Sequence, residues 1–476
     1  MCKMANYRVR QTLDACKVRS KMGVTAASPM MWALCAVVVV PGAGAQIAAT
    51  PPMGWRNWNA FRGDIDQPTM QEQMVALAAR KRAVVGLNNG SSSSLLDVGY
   101  SRAGLDDNWQ SCGTGIRGSF HDGASGKPLV NTTRFPDMRA MVQFGHALGL
   151  KVGFYDNNCI CGEGGAHLNA SQIAKDVAGD AAFVGAMGFD GLKADGCGPG
   201  RNMTRLAELL RATGRDVLIE NCHYFKADSA ADMPLGTRPD PGRNRIWPYW
   251  RNNVTGGELV CPEHLFRASG DIRNSWGSWW GNLATLGYYQ DAEHPISRPG
   301  CWAYADMLMV GVGESARTPG VGAAGSVQEW RSHFGGWCVN SSPLILSFDL
   351  TNVTVMDAVW PFITNLEAIA VNQAWAGHPG RALPLDPVTV GRNASAWAKP
   401  LPGGRVAVVL VSMRQPGTSA IDVDLSVPTM ISPDLLPTSG VRDVWQRRDV
   451  GNAAGSFPIR NLEPHDSRFL IFSPSQ

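Results

Sequence analysis

Lys193 and Asp195 stand two residues apart in the stretch Gly188-Phe189-Asp190-Gly191-Leu192-Lys193-Ala194-Asp195-Gly196-Cys197-Gly198. The segment reads as a short buried strand, and a spacing of two puts both side chains on one face of it. The ammonium favours the ionised form of the neighbouring carboxylate. The glycines that follow let the chain turn away and leave Asp195 at the edge of an open cleft. A carboxylate held ionised at a strand end can attack an anomeric carbon; a structural Lys–Asp pair explains the segment equally well when it is taken alone. Arg267-Ala268-Ser269-Gly270-Asp271 supplies a second carboxylate, in a Gly-containing turn after the apolar Leu265-Phe266. By itself Asp271 reads as a turn or N-cap aspartate. Together the two aspartates are the minimum set for retaining glycoside hydrolysis. One attacks; the other protonates the leaving oxygen and then activates water, with the carboxylates about 5–5.5 Å apart.

Such residues need a scaffold that brings distant positions to one place. From residue 50 to about 380 the chain repeats one theme: an apolar run, a polar or Gly-rich ending, then a helix-like stretch. The runs finish near Trp58, Asp106, Tyr155, Asp195, Asn221, Asp271, Asp306 and Ser347. Eight such endings predict a (β/α)8 TIM barrel over residues 46–383, whose strand ends all open on one face. A doubly wound sheet ranks lower, because no GxGxxG-type loop follows the first strand. The clearest helical stretches are 138–148, 174–187 and 203–213. Beyond residue 384 short β-branched runs separated by Pro, Gly and Asp predict a C-terminal antiparallel β-sandwich over 384–476.

The shared barrel-end phase turns scattered polar residues into one predicted pocket. Asp106 and Asp107 are adjacent carboxylates able to accept hydrogen bonds from separate sugar hydroxyls. A divalent-metal site is the competing chemistry, and no third carboxylate or DxDxD spacing supports it. Met53-Gly54-Trp55-Arg56-Asn57-Trp58 offers an aromatic surface, and Tyr155, Arg267 and Asp306 complete a ring of polar groups.

Of 476 residues, 44% are hydrophobic and 17% charged, which suits one large domain and a smaller one. Residues 1–45 read as an export leader: a basic region, the apolar core Met30 to Val40, and Ala43-Gly44-Ala45 as a cleavage site. Of the chain's 43 basic and 40 acidic side chains, the leader holds six and one, so 37 and 39 remain, a formal charge of −2. Nucleic-acid binding is therefore not expected. The apolar runs after the leader are too short for a membrane span. Eight cysteines remain beyond the leader (Cys112, Cys159, Cys161, Cys197, Cys222, Cys261, Cys301 and Cys338), and an even set in an exported chain predicts disulfides. Cys159-Ile160-Cys161 lacks zinc-ligand spacing, and no histidine pair accompanies it. Sequons at Asn89, Asn131, Asn169, Asn202, Asn253, Asn340, Asn352 and Asn393 agree with a secretory route, to the exterior, a vacuole or a lysosome.

In order along the chain, Thr50-Pro51-Pro52-Met53-Gly54-Trp55, Leu105-Asp106-Asp107-Asn108-Trp109, Lys193-Ala194-Asp195-Gly196-Cys197 and Arg267-Ala268-Ser269-Gly270-Asp271 are followed by Tyr304-Ala305-Asp306-Met307-Leu308, Ser342-Pro343-Leu344-Ile345-Leu346-Ser347 and Ala370-Val371-Asn372-Gln373. On these motifs the chain resembles the α-galactosidases of glycoside hydrolase family 27, over everything after the leader. The resemblance implies a barrel followed by a β domain, with Asp195 as nucleophile and Asp271 as acid/base. It implies Asp106 and Asp107 at the 4- and 6-hydroxyls of galactose and Trp58 along one side of the sugar. Lys193 would lie near the 3- and 4-hydroxyls and Arg267 on the 2-hydroxyl side, with Tyr155, Cys222 and Asp306 as further pocket members. It also implies Cys161–Cys197 and Cys222–Cys261 disulfides, leaving Cys112–Cys159 and Cys301–Cys338 as the remaining pairs. No metal or organic cofactor is implied, and the partners are α-galactoside oligosaccharides, polysaccharides or glycolipids. Oligomeric state stays open, a homodimer among the options.

Two departures from the family pattern stand out. Asn108 replaces the usual cysteine of Asp-Asp-Cys-Trp. In Glu220-Asn221-Cys222-His223-Tyr224, His223 stands where many members carry a glutamate that reads the 2-hydroxyl. His223 and Tyr224 are not small, which favours galactose over N-acetylgalactosamine. The alternatives kept are α-N-acetylgalactosaminidase, β-L-arabinopyranosidase or transglycosidase activity, and a catalytically silent galactose-binding protein.

Overall fold

Eight short parallel strands bury nearly all of their residues, and they can cover both faces only by closing on themselves beneath a ring of helices. The computed structural model describes residues 47–156, 158–161, 168–200, 202–222, 261–289, 297–313, 325–385 and 393–475. Its barrel strands are β1 (Met53–Arg56), β2 (Arg102–Gly104), β3 (Lys151–Asp156), β4 (Gly191–Asp195), β5 (Leu218–Cys222), β6 (Leu265–Arg267), β7 (Trp302–Tyr304) and β8 (Leu344–Leu346). They pair in parallel in the order β8-β1-β2-β3-β4-β5-β6-β7. The seam between β7 and β8 is closed just beyond β7, where Leu308 bridges Leu346 and its N–H donates to Ile345 O at 2.8 Å. The predicted barrel is thus observed.

Helices follow the strands: α1 (Gln67–Ala78), α2 (Met138–Ala147), α3 (Ala170–Met187), α4 (Met203–Ala212), α5 (Trp276–Thr285), α6 (Val327–Val339), α7 (Val353–Ile363) and α8 (Leu366–Gln373). Most start on a short polar side chain that accepts a backbone N–H three residues on, as Asn169 does for Gln172 and Ser326 for Glu329. Such a cap is worth about 1 kcal/mol. Three helices match the predicted stretches within four residues at each end. The N-terminal turn of α3 was missed because Ala170-Ser171-Gln172 lacks apolar periodicity.

The C-terminal sheet holds β9 (Arg381–Leu383), β10 (Ala394–Leu401), β11 (Arg405–Ser412), β13 (Ser439–Asp443), β14 (Arg448–Ala453) and β16 (Ser467–Pro474), in the order β9-β10-β11-β16-β13-β14. An antiparallel pair, β12 (Ile421–Ser426) with β15 (Ser456–Leu462), forms the second layer. Along β11, Val406, Val408 and Leu410 face the sandwich interior, while Ala407, Val409 and Val411 join the barrel's own core. A strand buried on both faces shows no alternation, and that is why its sequence is one apolar run. Among the described residues, no helix is long and apolar enough to cross a membrane.

Candidate active site

Alternation along each strand decides which side chains point into the barrel. Gly104 and Asp106 share one phase, as do Gly153 and Tyr155, Gly191 with Lys193 and Asp195, Glu220 and Cys222, and Leu265 and Arg267. The lower layer is therefore rich in glycine, and the side chain of Arg56 fills it. A methyl group on Gly104 would lie 3.1 Å from the Arg56 guanidinium carbon, so the missing side chain is what admits the charge. Arg56 donates to Glu220 Oε2 at 2.7 Å and stands 3.6 Å from Asp106. Both Arg56 and Glu220 are buried.

The upper layer carries the predicted residues. Lys193 Nζ donates to Asp106 Oδ2 at 2.7 Å, and the Asp106 N–H is held by Asn57 Oδ1 at 2.7 Å. Burial alone would raise the Asp106 pKa, but the Lys193 and Arg56 charges outweigh it and hold the carboxyl below its ordinary range. Asp107 is different. Its Oδ2 accepts the N–H groups of Cys159 and Ile160, both at 3.0 Å, and its Oδ1 that of Asn108 at 2.7 Å. Burial dominates there and raises the Asp107 pKa despite those amides.

Asp195 Oδ2 accepts from the Tyr155 hydroxyl at 2.8 Å, and Oδ1 from the Gly196 N–H at 2.6 Å. Burial, then the Asp195 charge, pushes the phenol well up, so Tyr155 remains a proton donor. Trp109 Nε1 donates to Tyr155 O at 3.0 Å, which pins the strand that carries the phenol. Across the cleft, Arg267 Nη2 lies 3.1 Å from Asp271 Oδ1 and 2.8 Å from Asp306 Oδ2. The Arg267 side chain is 3% exposed and that of Asp271 90%, so the carboxyl meets water while its partner does not. Asp306 adopts φ +87°, an unusual backbone for a residue with a side chain. In return it takes the N–H groups of Ile272 at 2.8 Å and Met307 at 2.7 Å. Burial raises its pKa even beside Arg267.

Trp58, Asp106, Asp107, Tyr155, Lys193, Asp195, Cys222, Arg267, Asp271 and Asp306 all line one cavity of about 670 Å³ at the C-terminal ends of the strands. Trp58 reaches it from a helical turn, Trp58–Phe61, beyond β1 rather than from a strand end. His223 lies outside the described residues, as do Tyr224 and the leader. The sequence reading missed the Arg56–Glu220 pair, and also Arg62 and Arg273, which line the cavity. Glu220 was signalled by standing two residues before Cys222; for Arg56 the only signal was a charge inside an apolar strand.

The cysteine pairing requires correction. The bonds are Cys112–Cys161, Cys159–Cys197 and Cys261–Cys301, and Cys222 and Cys338 are free and buried. The turn pinned by Asp107 faces Cys159 toward the β4 loop, and Cys161 is left for Cys112. Cys222 ends β5 at the upper rim, whereas Cys261 precedes β6 at the opposite end and meets Cys301, which precedes β7. Cys222–Cys261 would have to span the barrel. The Cys222 thiol lies instead 3.1 Å from Arg267 Nη1, inside the pocket. Cys338 sits on α6, within the core. Donor atoms of Cys159, Asp195 and Cys197 lie within 4.8 Å of one another, but both sulfurs are spent in a disulfide and do not form a thiolate metal set.

Comparison with known proteins gives matches along most of the chain. A family model described as "Alpha galactosidase A" matches residues 50–233 and 244–374, and one described as "Alpha galactosidase C-terminal beta sandwich domain" matches 391–472. "Alpha-galactosidase 3" of Arabidopsis thaliana is 26% identical over 438 residues, covering 90% of this chain and 83% of that protein. The crystal structure of α-galactosidase I from Mortierella vinacea superposes with a TM-score of 0.64 at 22% identity, covering 90% of this chain and 98% of that one. A family 27 β-L-arabinopyranosidase from Geobacillus stearothermophilus gives 0.67 at 17%, covering 90% and 99%. At those identities the two structures bear on the fold alone.

Proposed function

Because the chain belongs to the α-galactosidase family of glycoside hydrolases, we propose that it releases terminal α-linked galactose by a double displacement with retention. Asp195 attacks the anomeric carbon while Asp271 gives its proton to the departing oxygen, forming a covalent galactosyl-enzyme. Asp271 then takes a proton from water, and that water attacks from the face the leaving group departed from, opposite Asp195, freeing the carboxylate and restoring the original configuration. Tyr155 and the Gly196 N–H hold one Asp195 oxygen each and so fix the direction of attack. The exposed Asp271 exchanges its proton with solvent, and Arg267 beneath it keeps the side chain aimed at the cleft. Lys193, Asp106 and Asp107 bind the 3-, 4- and 6-hydroxyls, Arg267 and Cys222 face the 2-hydroxyl, and Trp58 and Asp306 complete the pocket. Residues 46–383 form the catalytic part, 384–476 pack against it, and 1–45 direct export.

The observation that carries this reading is that both aspartates open on one cavity whose floor is the Lys193–Asp106 pair. Three disulfides agree with passage through a secretory compartment. Of the sequons, Asn340 is buried and is not expected to carry glycan. The test is Asp195→Asn, which removes the nucleophile at constant size. Turnover of an aryl α-galactoside should fall by roughly 10³-fold or more with the fold intact. Near-normal hydrolysis by this variant would end the assignment. Rates on α-galactoside, α-N-acetylgalactosaminide and β-L-arabinopyranoside, measured side by side, decide the glycone.

A further inference from the structure

Among the described residues four basic side chains line the cavity, and two of them are already matched. Lys193 is paired with Asp106, and Arg267 with Asp306 and Asp271. Arg62 and Arg273 line the same cavity, and neither has a carboxylate within 4.0 Å among the described residues. Arg62 is half-buried and makes no contact ion pair; burial costs it more than the longer-range attraction of Asp271, Asp106 and Asp306 returns. It closes the helical turn that carries Trp58, its N–H donating to Trp58 O at 2.7 Å, and its guanidinium lies 5.7 Å from the Trp58 ring centroid. Its backbone φ is +51°, which an arginine rarely adopts. Arg273 is exposed, two residues beyond Asp271 on the same loop, and its N–H is anchored to Ser278 Oγ at 2.8 Å.

Position decides what these cations meet. The acid of a glycosidase stands beside the leaving oxygen, so the group attached to that oxygen passes the loop holding Asp271 and Arg273. We propose that Arg62 and Arg273 form an oxyanion-binding lip at the leaving-group side, and that the preferred substrates are α-galactosides whose leaving group carries a sulfate ester or a carboxylate. This rests on the galactosidase reading above. A guanidinium fork matches either oxyanion with two parallel N–H···O bonds, and the Trp58 face holds one fork in place.

The experiment uses the full mature enzyme and three α-galactosyl disaccharides differing only in the second sugar: neutral, sulfated, or a uronic acid. Contacts of partly exposed charges predict a kcat/KM advantage of about five- to twentyfold for the anionic substrates at low salt, carried by KM. The ratio of anionic to neutral substrate should approach one in Arg62→Gln/Arg273→Gln and fall below one in Arg273→Glu. Arg273 is exposed, so its substitution does not threaten folding. In the unaltered enzyme, about 0.5 M salt should erase most of the ratio. Preference for only one of the two anions would identify the substituent and support the lip. Equal or slower turnover of both anionic substrates, with the neutral one cleaved, overturns the lip and leaves the galactosidase reading standing. No cleavage of any of the three overturns both.

Discussion

Replacing Arg56 by Met tests the charge buried under the pocket. Arg56 is 8% exposed and Glu220 4%, and their 2.7 Å contact is the closest ion pair that either makes among the described residues. Removing the guanidinium leaves the Glu220 carboxylate in the glycine-lined barrel interior without its partner. Stranding one member of a buried pair costs about 3–5 kcal/mol. For a chain of this size that is a fall in apparent Tm of roughly 3–6 °C. Replacing both members by apolar residues removes the stranded charge, so Arg56→Met/Glu220→Leu should be clearly more stable than Arg56→Met alone. Asp106 loses its cation at 3.6 Å but keeps Lys193 at 2.7 Å. Galactoside KM should therefore rise several-fold in both variants, with a smaller change in kcat. Thermal denaturation followed by circular dichroism, with steady-state kinetics on an aryl α-galactoside, reads both effects. If the second substitution lowered stability further by as much as it does alone, the two residues would not be coupled and the reasoning would fail.

Other outcomes follow from single features. Lys399 is buried and donates to the carbonyls of Val371 and Asn372, which close α8; burial lowers its pKa from 10.5 to about 7, the nearby Cys338 opposing. Between those values the unfolded chain binds a proton that the native chain has released, so this residue's contribution to stability grows as pH rises from about 7 and is lost below it. The Tm difference between wild type and Lys399→Met should shift in favour of wild type from pH 6 to pH 9; no shift would count against the lowered pKa. Cys159–Cys197 closes a loop with a sequence separation of 38, and its second cysteine stands two residues beyond the nucleophile. Cys159→Ser/Cys197→Ser should cost about 4 kcal/mol by chain entropy, with a fall in kcat as the Asp195 loop loosens. Burial pushes the Cys222 thiol well up. Iodoacetamide at pH 7 should therefore leave activity unchanged, and rapid inactivation protected by galactose would contradict that.

The site was legible where a period of two carried it. Lys193 and Asp195 fall in one phase of one strand, and the barrel brings Asp106, Arg267 and Asp306 to the same rim. Local spacing could not distinguish Cys159 from Cys161. They are two residues apart, and only the turn held by Asp107 decides which meets Cys197. Cys222 was misassigned because a strand end and a strand start look alike in sequence but lie at opposite ends of a barrel. Arg56 was invisible because its cradle is built by Gly104, from a neighbouring strand about fifty residues away.

Strand β1 lies between β2 and β8, and its register with β8 sets Met53 beside Leu344. On a ribosome, then, the first strand emerges long before one of its two neighbours exists. Until Leu346 has left the exit tunnel, one side of β1 presents bare N–H and C=O groups, able to join any extended chain nearby. Nascent chains halted between β7 and β8 should accordingly be the ones that chaperones retain, and release should coincide with synthesis of the Ser342–Ser347 segment.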